Sequence, residues 1–203
     1  MTAPDLHDGS TYRDATFRGL RLDGALRDAT FHDCVFDGCD LHEAQLLGCR
    51  FVDCDLLGCD LALLDVRGTA FLGVTIEHGH APGINWSAAR VGPNEPFELD
   101  VKESVLNFGR FVDLELRRRR FEGCTIHEAL FERCDLTDAS FRGSDLSGSE
   151  FVGCDLTGAD LRKARGYRID ARRNTVTGLH AWPPEAVGLL HGMGIALEEP
   201  SER

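Results

Sequence analysis

The eight cysteines of this 203-residue chain are its best candidates for metal-binding, redox or disulfide chemistry. The interval between any two of them is a multiple of five residues, which is a constraint that such chemistry does not need. The N-terminal stretch MTAPDLHDGSTYRD has no basic region followed by an apolar run, so no secretory signal is predicted. We therefore expect reduced thiols in a cytoplasmic protein, and the regular spacing indicates a structural repeat.

Other candidate sites for catalysis or ligation are absent from the sequence. His78 and His80, in the stretch HGH, have no cysteine or carboxylate partners at metal-ligand spacing. There is no nucleophile elbow or phosphate-binding loop, and the serines and aspartates recur at fixed repeat positions. The sequence thus predicts no catalytic residue, no metal and no cofactor, and it predicts a protein that is not an enzyme.

A five-residue period extends over most of the chain. Counting in steps of five from Phe31 to Leu161 gives 27 positions, of which 25 are Leu, Phe, Ile, Val or Trp, the exceptions being Ala81 and Pro96. The position two residues before the large one is small in most units, and all eight cysteines fall in that column. The residue between the two columns is often Asp, and Gly is frequent two positions after the large residue. Each unit therefore has a small, a polar, a large, a variable and a turn position.

A period of five fits neither an α-helix nor a single β-strand. Stacked coils can use it, because each coil pairs its backbone with the coils above and below and directs its large side chains inward. The small position then selects for size, so the cysteines are predicted to be packing residues. The predicted core includes Cys34, Cys39, Phe51, Cys54, Phe71, Phe121, Phe131, Phe141 and Phe151.

The units CDLTGADL, ADLRKA and CDLHEAQL resemble the A(D/N)LXX motif of the pentapeptide-repeat family. The resemblance implies an all-β fold, a right-handed quadrilateral β-helix with four pentapeptides per coil. About eight coils are expected over residues 1–166.

Two departures from the repeat are visible before Phe111. The step from Leu22 to Leu26 is four residues, so one residue is missing near Asp23–Gly24. Residues 77–110 lose the motif but keep the phase, so the chain is expected to continue around the solenoid with Trp86 and Val91 inward. Pro93, Asn94, Glu95 and Pro96 are predicted to form a loop. This loop is either a degraded repeat without function or a recognition loop.

The run Arg117–Arg120 is a third departure, because Arg119 occupies a small inward position. We expect the coil to open there or the side chain to turn outward. The run itself either balances nearby acids or binds a partner.

Residues 167–203 are predicted to form a separate segment that caps the open end of the solenoid. Pro184 and Glu185 are typical of a helix start, Gly192 and Gly194 of its end, and Ile195–Leu197 of a short strand. In the quinolone-resistance members of the family that the chain resembles, a comparable segment mediates dimers. The resemblance thus implies a homodimer through Trp182, Val187, Leu189, Leu190, Met193, Ile195 and Leu197.

The net charge of −12 is concentrated in two segments. Residues 1–76 contain 13 acidic residues against 6 basic ones, and residues 121–163 contain 9 against 4. Such a charge repels nucleic acids and membrane surfaces and attracts basic proteins, or it serves solubility alone. The predicted binding surface is an acidic face of Asp40, Asp55, Asp60, Asp65, Asp135, Asp145, Asp155 and Asp160.

Similarity to the quinolone-resistance members implies a rod that mimics duplex DNA. Such a rod binds a type II topoisomerase, DNA gyrase or topoisomerase IV, and modulates its activity or its quinolone sensitivity. The alternative is a scaffold or regulator of another protein with no role at a topoisomerase.

Overall fold

The computed structural model describes residues 5–92 and 95–196. The pentapeptide unit is too short for a long strand, and the strands in this part of the chain have two to four residues. They are β1 (Thr11–Arg13), β2 (Thr16–Arg18), β3 (Ala25–Arg27), β4 (Thr30–His32), β5 (Val35–Asp37), β6 (Gln45–Leu47), β7 (Arg50–Val52), β8 (Asp55–Leu57), β9 (Ala70–Leu72), β10 (Val74–Glu77), β11 (Leu99–Lys102), β12 (Arg110–Val112), β13 (Phe121–Glu122), β14 (Leu130–Glu132) and β15 (Glu150–Val152). One 3-10 turn spans Trp86–Ala88, and the helix α1 spans Pro183–Gly192.

Parallel pairing between successive coils builds four faces. Face A begins with β1, β4, β7 and β9, and face B consists of β2, β5, β8, β10, β11 and β13. Face C is held by single bridges such as that between Asp40 and Asp60, and face D contains the pair β3–β6 and the trio β12–β14–β15. Most paired residues are four whole units apart in the sequence, as Phe31, Phe51 and Phe71 are. The predicted solenoid of four pentapeptides per coil is confirmed.

The large position fills the interior. Phe111 and Phe131 stack with ring centroids 4.6 Å apart, and Phe131 and Phe151 with centroids 4.9 Å apart. Rings on neighbouring faces meet edge to face, as those of Phe121 and Phe131 do. Every residue of the predicted core is buried. Aromatic stacking along the axis therefore adds to the burial of apolar surface that stabilises the coils.

The turn position has a left-handed backbone in nearly every unit. Among the described residues, fifteen other than glycine adopt positive φ, and all of them occupy this position, for example Asp33 with φ 54° and Phe108 with φ 61°. The closed coil therefore imposes the conformation whatever the residue, although glycine adopts it with less strain. At Gly48 a side chain would also be crowded, since a Cβ would lie 2.6 Å from Asp28 Oδ1.

The small position selects for hydrogen bonding as well as for size. Ser149 Oγ donates to the carbonyl of Ile126 (2.5 Å) and accepts the N–H of Ala129 (3.1 Å), both in the preceding coil. The cysteine thiols donate to the equivalent backbone carbonyls of the preceding coil; Cys154 Sγ, for example, donates to Phe131 O (3.3 Å). Size alone was thus an incomplete explanation, because these side chains also satisfy backbone groups that the ladders leave open.

The first departure from the repeat is confirmed. Arg21 pairs with Asp40, one residue short of four whole units, whereas Ala25 pairs with Gln45, four whole units further on. The missing residue therefore lies between Arg21 and Ala25. The positive φ of Gly24 (94°) accommodates the shortened corner.

The second departure is one coil with an extra unit. Asn85 pairs with Arg110 and Val74 with Leu99, so the partners here are five whole units apart instead of four. The phase survives because the insertion is one complete unit. Trp86 is buried as predicted, but the inward placement of Val91 is wrong, because Val91 is exposed. Phe97 is buried instead, at 6.0 Å from the ring of Phe71.

The predicted loop falls within the extra unit. Gly92 and Glu95 form an antiparallel bridge, Pro96 is exposed, and Pro93 and Asn94 lie outside the described residues. The carboxylate of Glu95 forms ion pairs with Arg90 (2.8 Å) and with Arg50 of β7. The loop is therefore fastened to the solenoid at Arg50 and Arg90.

The C-terminal end differs from the predicted boundary. Parallel bridges join Asp155 to Thr175 and Asp160 to His180, so the solenoid extends past residue 166. Helix α1 follows, with Glu185 in its first turn. The predicted strand is not formed at Ile195 and Ala196, and Leu197 lies outside the described residues. No described helix is long and apolar enough to cross a membrane.

Glycine allows α1 to lie directly on the last coil. A Cβ at Gly188 would clash with the carbonyl oxygen of Tyr167, and one at Gly192 would be 2.5 Å from Ile169 O. These two glycines are four residues apart, so they lie on one side of the helix. The helix thereby covers the backbone of residues 167–170, as expected of a cap.

Candidate protein-interaction surface

The eight aspartates of the predicted acidic face lie on all four faces of the solenoid. The register places Asp135 and Asp155 on face A, Asp55 and Asp160 on face B, Asp40, Asp60 and Asp145 on face C, and Asp65 on face D. A single acidic face made of these residues is therefore not formed. Successive coils bring together only the pairs Asp40–Asp60 and Asp135–Asp155.

Seven of these aspartates have a structural role. In each, Oδ1 accepts the backbone N–H two residues further on, at 2.9–3.1 Å: Asp40, Asp60, Asp65, Asp135, Asp145, Asp155 and Asp160. This bond closes a turn around the large residue and explains why Asp is frequent at the polar position. Asp55 differs, because it lies in β8.

Several of these carboxylates are also neutralised by arginine. Arg162 and Arg142 contact Asp160 at 2.7 and 3.3 Å, and Arg165 contacts Asp145 at 3.0 Å. The side-chain hydrogen bond from Arg162 lowers the pKa of Asp160 to about 2. Burial raises the pKa of Asp145, but hydrogen bonds from Ser147, His127 and Arg165 outweigh it and leave that pKa well below its usual range. These groups are ionised but their charge is largely compensated.

A different set of aspartates is uncompensated. Asp14, Asp33 and Asp53 occupy the turn positions of three successive coils, at the corner between faces A and B; we call them the aspartate ladder. Their N–H groups donate to His32, Val52 and Leu72 of the next coil, which fixes them one coil apart, at about 4.8 Å. All three are exposed, and none has an ion pair with another described residue.

The sequence signal for the ladder is visible in retrospect. The steps from Asp14 to Asp33 and from Asp33 to Asp53 are one coil each, once the missing residue is counted. The predicted binding surface was built on the polar position and so missed the turn position. Asp28, at the neighbouring corner, is a fourth aspartate at a turn position with positive φ.

The four consecutive arginines mainly serve ion pairs. Arg117 contacts Asp135 (3.2 Å), Arg118 contacts Asp138 (3.8 Å) and Arg120 contacts Asp100 (2.8 Å). The coil stays closed at Arg119, whose half-buried side chain donates from Nε to Arg117 O (3.3 Å). Of the two expected responses, outward escape of the side chain is observed and opening of the coil is not.

The thiols are packed inside and unsuited to ligation. All eight cysteines are free and buried, and burial raises the pKa of Cys54 to about 12 and that of Cys124 to about 11. Within residues 5–92 and 95–196, no three His, Cys, Asp or Glu side chains are placed to hold a metal ion. His78 instead contacts Glu103 at 3.3 Å.

The predicted dimer segment has a mixed surface. Trp182 and Ile195 are exposed, and the Lys163 ammonium lies 5.8 Å from the Trp182 ring centroid. Leu189 packs against the core, and Val187, Leu190 and Met193 are partly exposed. Dimerisation through this segment remains a prediction.

Comparison with known proteins agrees with this architecture. A family model described as pentapeptide repeats matches residues 26–62 and 124–162, in eight copies. Sequence comparison with curated proteins gave no significant match.

Solved structures with a similar fold have low sequence identity. HetL, a pentapeptide-repeat protein involved in heterocyst differentiation regulation from the cyanobacterium Nostoc sp. strain PCC 7120, superposes with a TM-score of 0.67 at 17% identity, covering 86% of this chain and 87% of HetL. Full-length QnrB1, a plasmid-mediated fluoroquinolone resistance protein, gives a TM-score of 0.50 at 20% identity, covering 92% of this chain and 100% of QnrB1. At such identities the likeness concerns the fold. In its repeat motif, its four-faced coils and the two segments that the family model matches, the chain is similar to pentapeptide-repeat proteins.

Proposed function

We propose that this protein is a non-enzymatic binding protein whose acidic N-terminal coils occupy a basic protein groove that otherwise holds duplex DNA. The observation that carries the proposal is the aspartate ladder, with Asp14, Asp33 and Asp53 exposed and without ion pairs among the described residues. A type II topoisomerase is the partner to test first.

The geometry of the ladder suits a groove that binds phosphates. Its charges are fixed by the backbone at about 4.8 Å per step, a spacing of the same order as the ~3.4 Å axial step of one DNA strand. Residues 5–92 contain 14 acidic residues and 7 arginines, so the surrounding field is also negative. Because the carboxylates are already aligned, little ordering is needed on binding.

The resemblance to quinolone-resistance members supports the choice of partner. In those proteins a twofold rod competes with DNA for the topoisomerase or destabilises a drug-trapped complex. We extend the proposal to a homodimer of this chain, with the exposed Trp182 and Ile195 in the contact. Light scattering of the variant Trp182→Ser/Ile195→Asp tests this, and an unchanged dimer would place the contact elsewhere.

The function is tested with purified gyrase, by measuring supercoiling and ciprofloxacin-stabilised cleavage at increasing protein concentration. The variant Asp14→Asn/Asp33→Asn/Asp53→Asn is expected to need at least tenfold more protein for the same effect. The control Glu115→Gln/Glu128→Gln/Asp138→Asn removes as many charges from exposed sites outside the ladder and is expected to retain the effect. Equal loss in both variants would show that net charge, not the ladder, is responsible.

A scaffold or regulator of another protein is the second candidate. It is favoured by the C-terminal coils, where arginines compensate many carboxylates and leave a less negative surface. Soluble wild-type protein without effect on gyrase or topoisomerase IV, in either assay, would exclude the topoisomerase role and leave this candidate.

A further inference from the structure

Two large apolar side chains are exposed at the corner between faces C and D. Leu63 is 53% exposed and Phe108 is 55% exposed. Gly83 lies between them in the stack of coils, because Leu63 N–H donates to Pro82 O and Gly83 N–H donates to Asn107 O. We call Leu63, Gly83 and Phe108 the apolar corner. It is diagonally opposite to the corner that carries the aspartate ladder.

Backbone preference does not favour either apolar residue at its position. The turn imposes a φ of 58° on Leu63 and of 61° on Phe108, and bulky apolar residues rarely adopt this conformation. Of the fifteen residues other than glycine with positive φ in the described part of the chain, only these two are apolar. An unfavourable backbone that presents an exposed apolar side chain is typical of a binding site.

The apolar surface extends along the corner from one coil to the next. The side chain of Leu63 lies over Gly83, since a Cβ at Gly83 would be 2.6 Å from Leu63 Cδ2. Pro82, immediately before Gly83, is partly exposed and adds further apolar atoms. Successive coils are about 4.8 Å apart, so the backbones at Leu63 and Phe108 are separated by about 10 Å. A strip of this length can contact two turns of a helix.

Both ends of the apolar corner are bounded by negative charge. Glu43 occupies the turn position one coil before it, and Glu128 the turn position one coil after it. Glu43 has only His42 within ion-pair distance, and Glu128 has no ion pair with another described residue. On the adjoining faces, Asp60 and Arg110 carry opposite charges and offset each other. An apolar segment with basic groups on both sides therefore complements this corner.

The backbone of the corner offers no donors to an added strand. The N–H groups of Glu43, Leu63, Gly83 and Phe108 all donate to the next coil. Recognition therefore has to use side chains, as it does when an amphipathic helix places its apolar face on a hydrophobic surface. Side chains seven residues apart on a helix are about 10.5 Å apart, which is close to the distance of about 10 Å from the coil of Gly83 to the coil of either glutamate.

We propose that the apolar corner binds an amphipathic α-helix of a protein partner. Its apolar face covers Leu63 and Phe108, and its Lys or Arg residues lie near Glu43 and Glu128. The proposal does not depend on the function proposed above, because the aspartate ladder is at the diagonally opposite corner and the two surfaces share no residue.

The probe is a fluorescein-labelled peptide of 21 residues, built from alanine and glutamine, with leucine at positions 8, 11 and 15 and lysine at positions 4 and 18. One control peptide has glutamate in place of both lysines, and the other has glutamine in place of the three leucines. Fluorescence anisotropy with the full chain is expected to show binding of the probe. Binding should be at least threefold weaker for the glutamate control and at least tenfold weaker for the glutamine control.

Variants of the protein locate the site. Leu63→Asn/Phe108→Asn should weaken probe binding at least tenfold without a fall in melting temperature, because Asn tolerates positive φ. Gly83→Asn should weaken it at least threefold, since the new side chain displaces Leu63 Cδ2 and puts a polar group between the two apolar ones. Val91→Asn removes an exposed apolar residue at another site and should bind the probe like wild type. The variant with all three ladder aspartates changed to Asn should do the same.

Three results would overturn the proposal. The first is no binding of the probe to the wild type, or undiminished binding to Leu63→Asn/Phe108→Asn. The second is a fall in the melting temperature of that variant by more than about 5 °C, which would show that the two residues stabilise the coils. The third is loss of self-association in the same variant, measured by light scattering, without any binding of the probe; this would assign the corner to contact between copies of the chain.

Discussion

The coils of residues 5–92 and those of residues 95–196 share one backbone pattern but differ in their surface charges. The first set contains 14 acidic residues and 7 arginines, and the second contains 17 acidic residues and 14 lysines and arginines. In the first set the turn positions with positive φ include Asp14, Asp28, Asp33 and Asp53 but, apart from His78, no basic residue. In the second set Arg118, Arg133 and Lys163 also occupy such turns.

This difference shows that one repeat can produce both an acidic surface without ion pairs and an acidic surface whose charge is compensated by arginine. At a C-terminal corner Arg133 contacts Asp113 of the preceding coil at 2.7 Å, whereas at the N-terminal corner Asp33 has only Asp14 and Asp53 as its neighbours along the ladder. The polar position contributes little to the contrast, because its aspartates are used in turns in both sets of coils. Residue identity at the turn position therefore determines which corners of the rod carry charge without an ion pair among the described residues.

The largest effect is expected from the shared core and should be the same in the two regions. Phe51→Ala and Phe131→Ala each remove a stacked, buried ring and are expected to lower the free energy of unfolding by about 3–5 kcal/mol. Urea unfolding followed by circular dichroism measures both. A difference above about 2 kcal/mol would mean that the regions differ in packing as well as in charge.

A smaller effect is expected at the small position, again in both regions. Thr69→Val leaves Cys49 N–H and Leu46 C=O without their side-chain partner, and Ser149→Ala does the same to Ala129 and Ile126. Each substitution should cost about 1–3 kcal/mol of unfolding free energy. Cys49→Ser is the matched control, since its hydroxyl can bond as the thiol does. If neither Thr69→Val nor Ser149→Ala changed the free energy of unfolding, the small position would select for size alone.

Acid should weaken the C-terminal coils through Asp160 and Asp170. Hydrogen bonds from Arg162 and Arg172 lower the pKa of each to about 2, below the value of about 3.9 in an unfolded chain. The unfolded state then binds more protons, so this stability is present above pH 4 and is lost as the pH falls from about 4 to about 2. In Asp160→Asn, the loss of unfolding free energy between pH 4 and pH 2 should be smaller than in wild type by about 1 kcal/mol, a value that allows for solvent screening. An unchanged profile between pH 4 and pH 2 would contradict the assignment.

The smallest effect is expected at the ladder. Asp33→Asn removes the repulsion from Asp14 and Asp53, and Asn tolerates positive φ well. The free energy of unfolding should therefore rise by about 0.3 kcal/mol. Thermal unfolding at low and high salt measures this, and the gain should vanish at about 1 M salt. A loss of stability would indicate that Asp33 has a structural partner and would weaken its assignment to binding.

Much of the fold was predictable because the repeat is local. The step of five from Phe31 to Leu161 identified the inward column, and the step of four at Leu26 located the shortened coil. The helix at Pro183–Gly192 followed from its proline and glycine signals. Val91 could not be placed correctly, because a whole extra unit keeps the phase while changing which residue turns inward.

The sequence by itself determined the coil, its buried columns, its acidity and its resemblance to pentapeptide-repeat proteins. Only the tertiary structure decided which carboxylates lack ion pairs among the described residues and where the extra unit folds. The physical reason is distance along the chain. The period depends on neighbours five positions apart, whereas the Arg133–Asp113 ion pair joins successive coils and the Glu95–Arg50 contact joins more distant parts of the chain. The formation of such pairs depends on the length of every coil between them.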